Sequence, residues 1–282
     1  MALLGKLNLL RVLRGAPPGF YLDGGPLGEI LLPGSLIPAD AKVGGEVRVF
    51  VYRDSEDRLV ATPQKPLAQV GEFAALRVVA VNPRIGVFLD WGLDKDLLLP
   101  VREQSSPLRL GERVVVHVTI DERSQRIVAS ARLNRHLDLV PPAYAEGQEV
   151  PLIVIGETPL GYNVVVAHAH RALLYKSDLG RGLSLGATFQ GYIRRVREDG
   201  KIDVALDRAG HQRIASCSDT VMEKLRAAGG RLPLHDGSSP EEIRAALGMS
   251  KKAFKQAIGV LFKARQLVIE QFGIRLTSPS GR

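Results

Sequence analysis

The sequence predicts a mainly β chain: three tandem five-stranded barrels followed by a small α+β domain. Three observations carry that prediction. A glycine-led alternating run, VGGEVRVFVYRDSEDRLVAT at 43–62, returns as LGERVVVHVTIDERSQRIVAS at 110–130 and more faintly as LGATFQGYIRRVREDGKIDVAL at 185–206. A second shared stretch precedes each copy, at 9–33, 76–100 and 152–179. Past residue 215 the apolar period changes from two to 3.6, the signature of helices replacing strands.

Each upstream stretch reads as a β-branched strand, a proline and glycine turn, a short strand, a polar link and a third short strand. The turns are Pro17-Pro18-Gly19, Asn82-Pro83 and Thr158-Pro159-Leu160-Gly161, chemistry that suits hairpins. After the hinge glycines Gly44, Gly111 and Gly186 come two more strands. They are joined by acidic turns at Asp54–Arg58, Asp121–Arg126 and Glu198-Asp199-Gly200-Lys201. The repeat is too long for a solenoid unit of ~20–50 residues. Five strands per repeat is the strand count of an OB-type barrel.

In the tail, SDTVMEKLRAAGG (218–230) spaces Val221, Met222, Leu225 and Ala228 for a helix. RLPLHD follows as a short strand. Ser239 then caps a helix with Pro240 at its first position and Glu241-Glu242 in its first turn. Gly248 ends it, Ser250 caps the next helix, and LVIEQ and GIRLT pair around Phe272-Gly273. Helix, strand, helix, short turn, helix, hairpin is the layout of a winged helix-turn-helix. The expected domains are 1–66, 67–135 and 145–210 for the barrels and 216–279 for the winged helix, with Pro141-Pro142 a semi-rigid hinge.

The order turn-Gly-[FY]-L-D, LLP, G-x-x-V-x-V-x-V, D-x-x-x-R-[IL]-x-A-[ST] resembles the S1 RNA-binding domain, most clearly in Gly86-Val87-Phe88-Leu89-Asp90 and Arg126-Ile127-Val128-Ala129-Ser130. Three S1-like barrels and a winged helix, with DSEDRLVAT, FLDWGLDKDLLLP and SSPEEIRAALGMSKKAFKQAIG, resemble the conserved virulence factor B (YitL-like) family over essentially the whole chain. The resemblance implies a bacterial, cytoplasmic, non-enzymatic RNA-binding protein acting in post-transcriptional and virulence regulation, with single-stranded RNA as its partner.

Single strands need aromatic faces for bases and a basic groove for phosphates. By resemblance, the aromatic of the Gly-x-[FY] strand faces outward, which nominates Tyr21 and Phe88 for stacking. Repeat three has Asn163 there and Tyr162 one residue off register; it offers Tyr175 where the others have Pro33 and Pro100. The alternative reading of each ring is a half-buried strand residue. Candidate phosphate contacts in the repeats are Arg84, Lys176, Arg194, Arg195, Arg197 and Lys201.

The formal charge is +8, and residues 216–282 hold +5 of it, from 11 basic and 6 acidic residues. At 100° per residue Ala253, Phe254, Ala257, Ile258 and Leu261 line one face of the last helix, and Lys252, Lys255, Gln256 and Lys263 the other, around Gly259. A stripe of this kind can be simple solvation; in a recognition helix it points to nucleic acid. Lys251 and Arg275 complete the phosphate candidates.

Other chemistries lack residues. Cys217, read as part of a polar linker, is the only cysteine, so no intrachain disulfide or cysteine knuckle forms, which fits a reducing compartment. His168 and His170, read as alternating on a strand, lack a third ligand, so neither metal nor cofactor is expected. No P-loop, HExxH or Gly-x-Ser-x-Gly appears. No apolar run reaches membrane-spanning length, and Lys6, Asn8 and Arg11 break the one at the N-terminus. No membrane or small-molecule partner is expected. Two rivals remain: a DNA-binding transcription regulator acting through the winged helix, with duplex DNA as partner, and an RNA-processing enzyme, for which the repeats leave no catalytic domain.

Overall fold

The computed structural model describes residues 1–140, 143–179, 182–206 and 211–277; Pro141-Pro142 lies outside them. The chain divides into two compact units, Met1–Leu137 and Asp138–Arg282.

In the first unit β1 (Leu7–Ala16), β2 (Gly19–Asp23), β3 (Glu29–Pro33), β4 (Glu46–Arg53) and β5 (Leu59–Thr62) close into a barrel in the order β1-β2-β3-β5-β4. Its pairs are antiparallel except β3 with β5, which run parallel at Leu31 and Val60. The second repeat supplies β6 (Phe73–Asn82), β7 (Gly86–Asp90), β8 (Leu97–Pro100), β9 (Arg113–Ile120) and β10 (Ile127–Ser130). These are hydrogen-bonded in the order β10-β9-β6-β7-β8, with β8 and β10 side by side.

The second unit holds the third barrel: β11 (Glu149–Glu157), β12 (Gly161–Val166), β13 (His170–Tyr175), β14 (Thr188–Val196) and β15 (Ile202–Ala205), in the first barrel's order. Then follow α1 (His211–Ala227), β16 (Arg231–Leu232), α2 (Pro240–Leu247), α3 (Lys251–Lys263), β17 (Leu267–Glu270) and β18 (Gly273–Leu276). The strands of this tail pair in the order β16-β18-β17, a wing beside the helices. The architecture is therefore mainly β, three closed or nearly closed five-stranded barrels and a winged helix.

The barrels turn their corners by one device. The first strand bulges after Val12, Val78 and Val154, in each case with one extra residue before pairing resumes. A bulge bends a strand and tightens its twist. The carbonyl of the bulged valine accepts a hydrogen bond from the hinge glycine, Gly44, Gly111 or Gly186, at 2.8–2.9 Å; its N–H donates to the carbonyl of the residue that follows the glycine. The hinge glycines have φ of 78° to 84°, a left-handed conformation that other residues adopt only at a cost. The glycine of the Gly-x-[FY] motif serves closeness instead. A Cβ on Gly19, Gly86 or Gly161 would stand 2.1 Å from the carbonyl oxygen of Leu32, Leu99 or Leu174.

Inward residues alternate along every strand and fill each barrel with aliphatic side chains, such as Val12, Leu22, Ile30 and Leu32 in the first. Each contributes roughly 1.5–3 kcal/mol by leaving water. Phe50 breaks the pattern: it lies outside its own barrel and joins the second barrel's core, edge-on to Trp91 at 5.6 Å between ring centroids. Trp91 packs at this junction of the two barrels, with its indole N–H on the Lys95 carbonyl at 2.5 Å. The Lys95 ammonium crosses back to donate to the carbonyls of Arg53 and Asp54 at 2.9 and 2.8 Å.

The helix signals of the tail hold. Ser239 Oγ accepts from the Glu242 N–H while the Glu242 carboxylate accepts from the Ser239 N–H, a capping box. Gly248 closes α2 at φ 67°, and Ser250 caps α3. One reading needs correction. α1 begins at His211, so Cys217 sits in a helix and packs against the winged-helix core rather than in a linker.

Trp91→Ala removes a ring buried against both barrels, so urea unfolding followed by circular dichroism should show a loss of about 3–5 kcal/mol, the usual cost of emptying such a site. An unchanged midpoint would show that Trp91 does not join the two barrels energetically.

Candidate nucleic-acid interface

The bulge decides which residue stands across from each candidate aromatic. Tyr21 pairs with Arg14 on β1, Phe88 with Ala80 on β6, and Asn163 with Gly156 on β11. In barrel one the partner covers the ring: the Arg14 guanidinium lies 3.8 Å above the Tyr21 centroid and pairs with Glu29 at 2.6 Å. The outward plane there is a guanidinium, itself a surface on which bases stack. In barrel two Ala80 is too short to cover Phe88, which stays half-buried. Arg84 is exposed in the β6–β7 turn nearby, its N–H on Asn82 Oδ1 at 3.0 Å.

Barrel three departs from expectation. Tyr162 is 6 % exposed, belongs to the barrel core, and accepts the Leu183 N–H on its hydroxyl at 3.2 Å. One residue off register turns a strand side chain to the opposite face, so Tyr162 occupies the inward position of Phe20 and Val87 and offers no ring to a base. Lys176 lies 5.8 Å from that ring centroid and pairs with Glu157 at 2.5 Å.

The arginine run is likewise engaged. Asp203, 2 % exposed, accepts from Arg195 at 2.9 Å and from Arg197 at 2.5 Å, and Tyr175 directs its hydroxyl at the same carboxylate while accepting from Arg197 at 2.5 Å. Burial pushes the Asp203 carboxyl up, but the hydrogen bonds from Arg197 and Arg195 hold it below the usual range. Arg197 is correspondingly raised by its bond to Asp203. Arg194 pairs with Asp178 at 2.6 Å and Lys201 with Asp199 at 2.7 Å. A phosphate reaching these cations competes with carboxylates already in place. Asp203 was missed in the sequence, although it stands where the other repeats carry Val60 and Val128.

The winged helix is the opposite case. Lys252, Lys255 and Lys263 are exposed on α3, and no ion pair joins them to a carboxylate among the described residues. Gly259 lies in their stripe with nothing within 4 Å of an added Cβ. Close packing of the described chain therefore does not explain the glycine. Phe262, two turns beyond Lys255 on the same face, is 51 % exposed, and Phe272 at the wing turn is 76 % exposed. Neither ring was nominated by the sequence. Lys251 donates to the Gly237 carbonyl at 3.4 Å, and Arg275 pairs with Glu270 at 2.8 Å.

The histidines do not form a metal pair. His168 occupies the turn between β12 and β13 at φ 57°, and both ring nitrogens of His170 are engaged, by Tyr144 Oη and the Val140 carbonyl at 3.0 Å each. No helix among the described residues is long and apolar enough to cross a membrane.

Asp203→Asn should lower the thermal midpoint of the second unit at neutral pH. Because the folded carboxyl titrates below its unfolded value, its stabilisation is complete above the ordinary carboxylate range and fades as pH falls through the folded value. The wild-type and Asp203→Asn melting curves should therefore converge between roughly pH 5 and pH 2. A constant gap across that window would contradict the ion-pair account.

Comparison with known proteins places these features. Residues 4–64 match the S1 domain and residues 219–276 the CvfB-like winged helix domain. YitL of Bacillus subtilis (strain 168) is 29 % identical over 252 residues, covering 87 % of this chain and 84 % of its own. Conserved virulence factor B of Staphylococcus haemolyticus is 26 % identical, with 98 % and 95 % covered, and that of Staphylococcus aureus (strain N315) 27 %, with 98 % and 94 %. Among solved structures, a multidomain protein with nucleic acid binding domains from Streptococcus pneumoniae aligns over 97 % of this chain and 98 % of its own at 24 % identity and a TM-score of 0.42.

Proposed function

We propose that this chain, which belongs with the conserved virulence factor B proteins, is a non-catalytic RNA-binding protein that holds single-stranded RNA through several weak sites. S1 and winged-helix domains are nucleic-acid-binding modules. The finer reading, unpaired RNA held for post-transcriptional regulation in the cytoplasm, rests on Phe88. A half-buried ring that Ala80 leaves uncovered on the motif strand can stack only a base whose face is free, which a duplex does not offer.

The remaining sites divide the work. The Arg14–Tyr21 pair adds a second stacking plane, and Lys252, Lys255 and Lys263 of α3, joined to no carboxylate among the described residues, add charge beside the exposed ring of Phe262. Barrel three, with Tyr162 inside and its arginines paired, contributes least. Sites on one chain raise each other's effective concentration, so modest contacts sum to useful avidity. Occupancy of the strand then alters its folding, translation or access to nucleases. The second reading, duplex DNA bound by α3, is favoured by one feature: α3 stands in the recognition position of a helix-turn-helix.

Fluorescence anisotropy with short homopolymer RNAs across a salt series tests the proposal. Charge reversal at Lys252, Lys255 and Lys263 should weaken binding and flatten the salt dependence by roughly 0.7 in log–log slope for each phosphate no longer neutralised. Phe88→Ala should weaken binding by about tenfold, one stacked base, and leave the slope alone, because stacking releases no counterions. Equal losses with equal slopes would contradict this division.

Gly259→Ala separates folding from binding. It should stabilise the winged helix by about 1 kcal/mol in thermal melts, since alanine is the better helix former, while weakening RNA binding by a Cβ set into the lysine stripe. Stabilisation with undiminished affinity would remove Gly259 from the interface.

A further inference from the structure

The first two barrels enclose a cleft of about 220 Å³ within the Met1–Leu137 unit. Its walls come from both. Barrel one supplies Tyr52 and Arg53 at the end of β4; barrel two supplies Phe88 on β7, Lys95 before β8 and Arg126 before β10. Three rings, counting Trp91, and three cations thus face one space, against a single lining carboxylate, Asp96. The volume is below the ~300–1,000 Å³ of pockets for drug-sized ligands and suits one planar ring system.

The walls are also held in place. The Lys95 ammonium is anchored on the carbonyls of Arg53 and Asp54, Arg126 pairs with Asp57 across the barrels at 3.1 Å, and Arg53 donates to the Asp57 carbonyl at 2.7 Å. Tyr52 rests on Phe50, its ring stacked at 6.2 Å between centroids, and Phe50 rests on Trp91. A site whose walls are already positioned loses little freedom on binding.

We propose that this cleft is a composite nucleotide site, in which one unpaired base of an RNA strand enters against Phe88 and Tyr52 and the adjoining phosphates lie along Arg53, Lys95 and Arg126. The proposal rests on the RNA-binding reading and adds to it that neither barrel makes the site alone. The barrel-two face is read jointly with the β4–β5 hairpin of barrel one, so the tandem, rather than the single domain, is the unit of recognition.

Trp91 is the only tryptophan of the chain and lines the cleft, so its emission reports occupancy in the full-length protein. Titration with an adenylate dodecamer should shift that emission saturably. Tyr52→Leu and Phe88→Leu should each weaken dodecamer binding by about tenfold, the scale of one stacked base, and Arg126→Ser should weaken it while flattening its salt dependence by roughly 0.7 in log–log slope for a lost phosphate contact. Arg126 is surface-exposed, so its variant keeps the test valid if Tyr52→Leu fails to fold. Binding weakened by Phe88→Leu alone, with Trp91 emission unmoved, would overturn the composite site and leave RNA binding standing. No dodecamer binding by the wild type would overturn both. An equal emission shift from adenosine monophosphate at equal concentration would make a free nucleotide the ligand and overturn the assignment to an RNA strand.

Discussion

The hydrogen bonds that tie a bulged valine to a hinge glycine and its neighbour are the constraint on which the barrels depend. Val12 with Gly44, Val78 with Gly111 and Val154 with Gly186 close the same corner in each repeat. Once that corner is set, the two-residue period of the strands decides which side chains enter the core and which face out. The extra residue at the bulge then assigns Arg14, Ala80 and Gly156 as the neighbours of Tyr21, Phe88 and Asn163. Surface chemistry follows from a backbone feature that the three barrels share.

On that common frame the repeats have diverged by single residues. A long cation across from Tyr21 covers a ring; an alanine across from Phe88 leaves one bare. A buried carboxylate at Asp203, in place of Val60 and Val128, gathers Arg195, Arg197 and Tyr175 into one network and occupies their polar groups, although Arg195 stays exposed. A buried carboxylate left without partners is costly, so barrel three keeps its arginines at home. In the winged helix no ion pair joins Lys252, Lys255 or Lys263 to a carboxylate among the described residues. Polar groups therefore serve structure in the third barrel and stand available in the tail.

Much of the fold could be read from the sequence because its signals are local. Alternation marks strands, Ser239 with Glu242 marks a helix start, and Gly248 marks its end. The site was legible only in part. That Phe88 and Tyr21 face outward is what the S1 resemblance implies; that Arg14 lies on Tyr21 depends on a bulge, which shifts pairing by one residue without leaving a sequence mark. Tyr162 was already one position off the motif, and that single step placed it in the core. The α1 start at His211 was missed because no apolar period announces the polar first turn. Lys95, seated on a neighbouring barrel's carbonyls, is a tertiary contact that no spacing encodes. Asp203 could have been found, as the one acid in a column of valines.

The curated relatives align with this chain along most of their length at 26–29 % identity. What separates a holder of unpaired RNA from a reader of duplex DNA is the use of the outward ring on barrel two beside the lysines of α3. The most direct measurement is competition on the full-length chain, with a labelled single-stranded RNA displaced by unlabelled RNA or by duplex DNA of matching sequence at one fixed salt concentration. The account predicts that RNA displaces the label at a much lower concentration than the duplex, and that Phe88→Ala erases most of that difference. Displacement by the duplex at the lower concentration would contradict it.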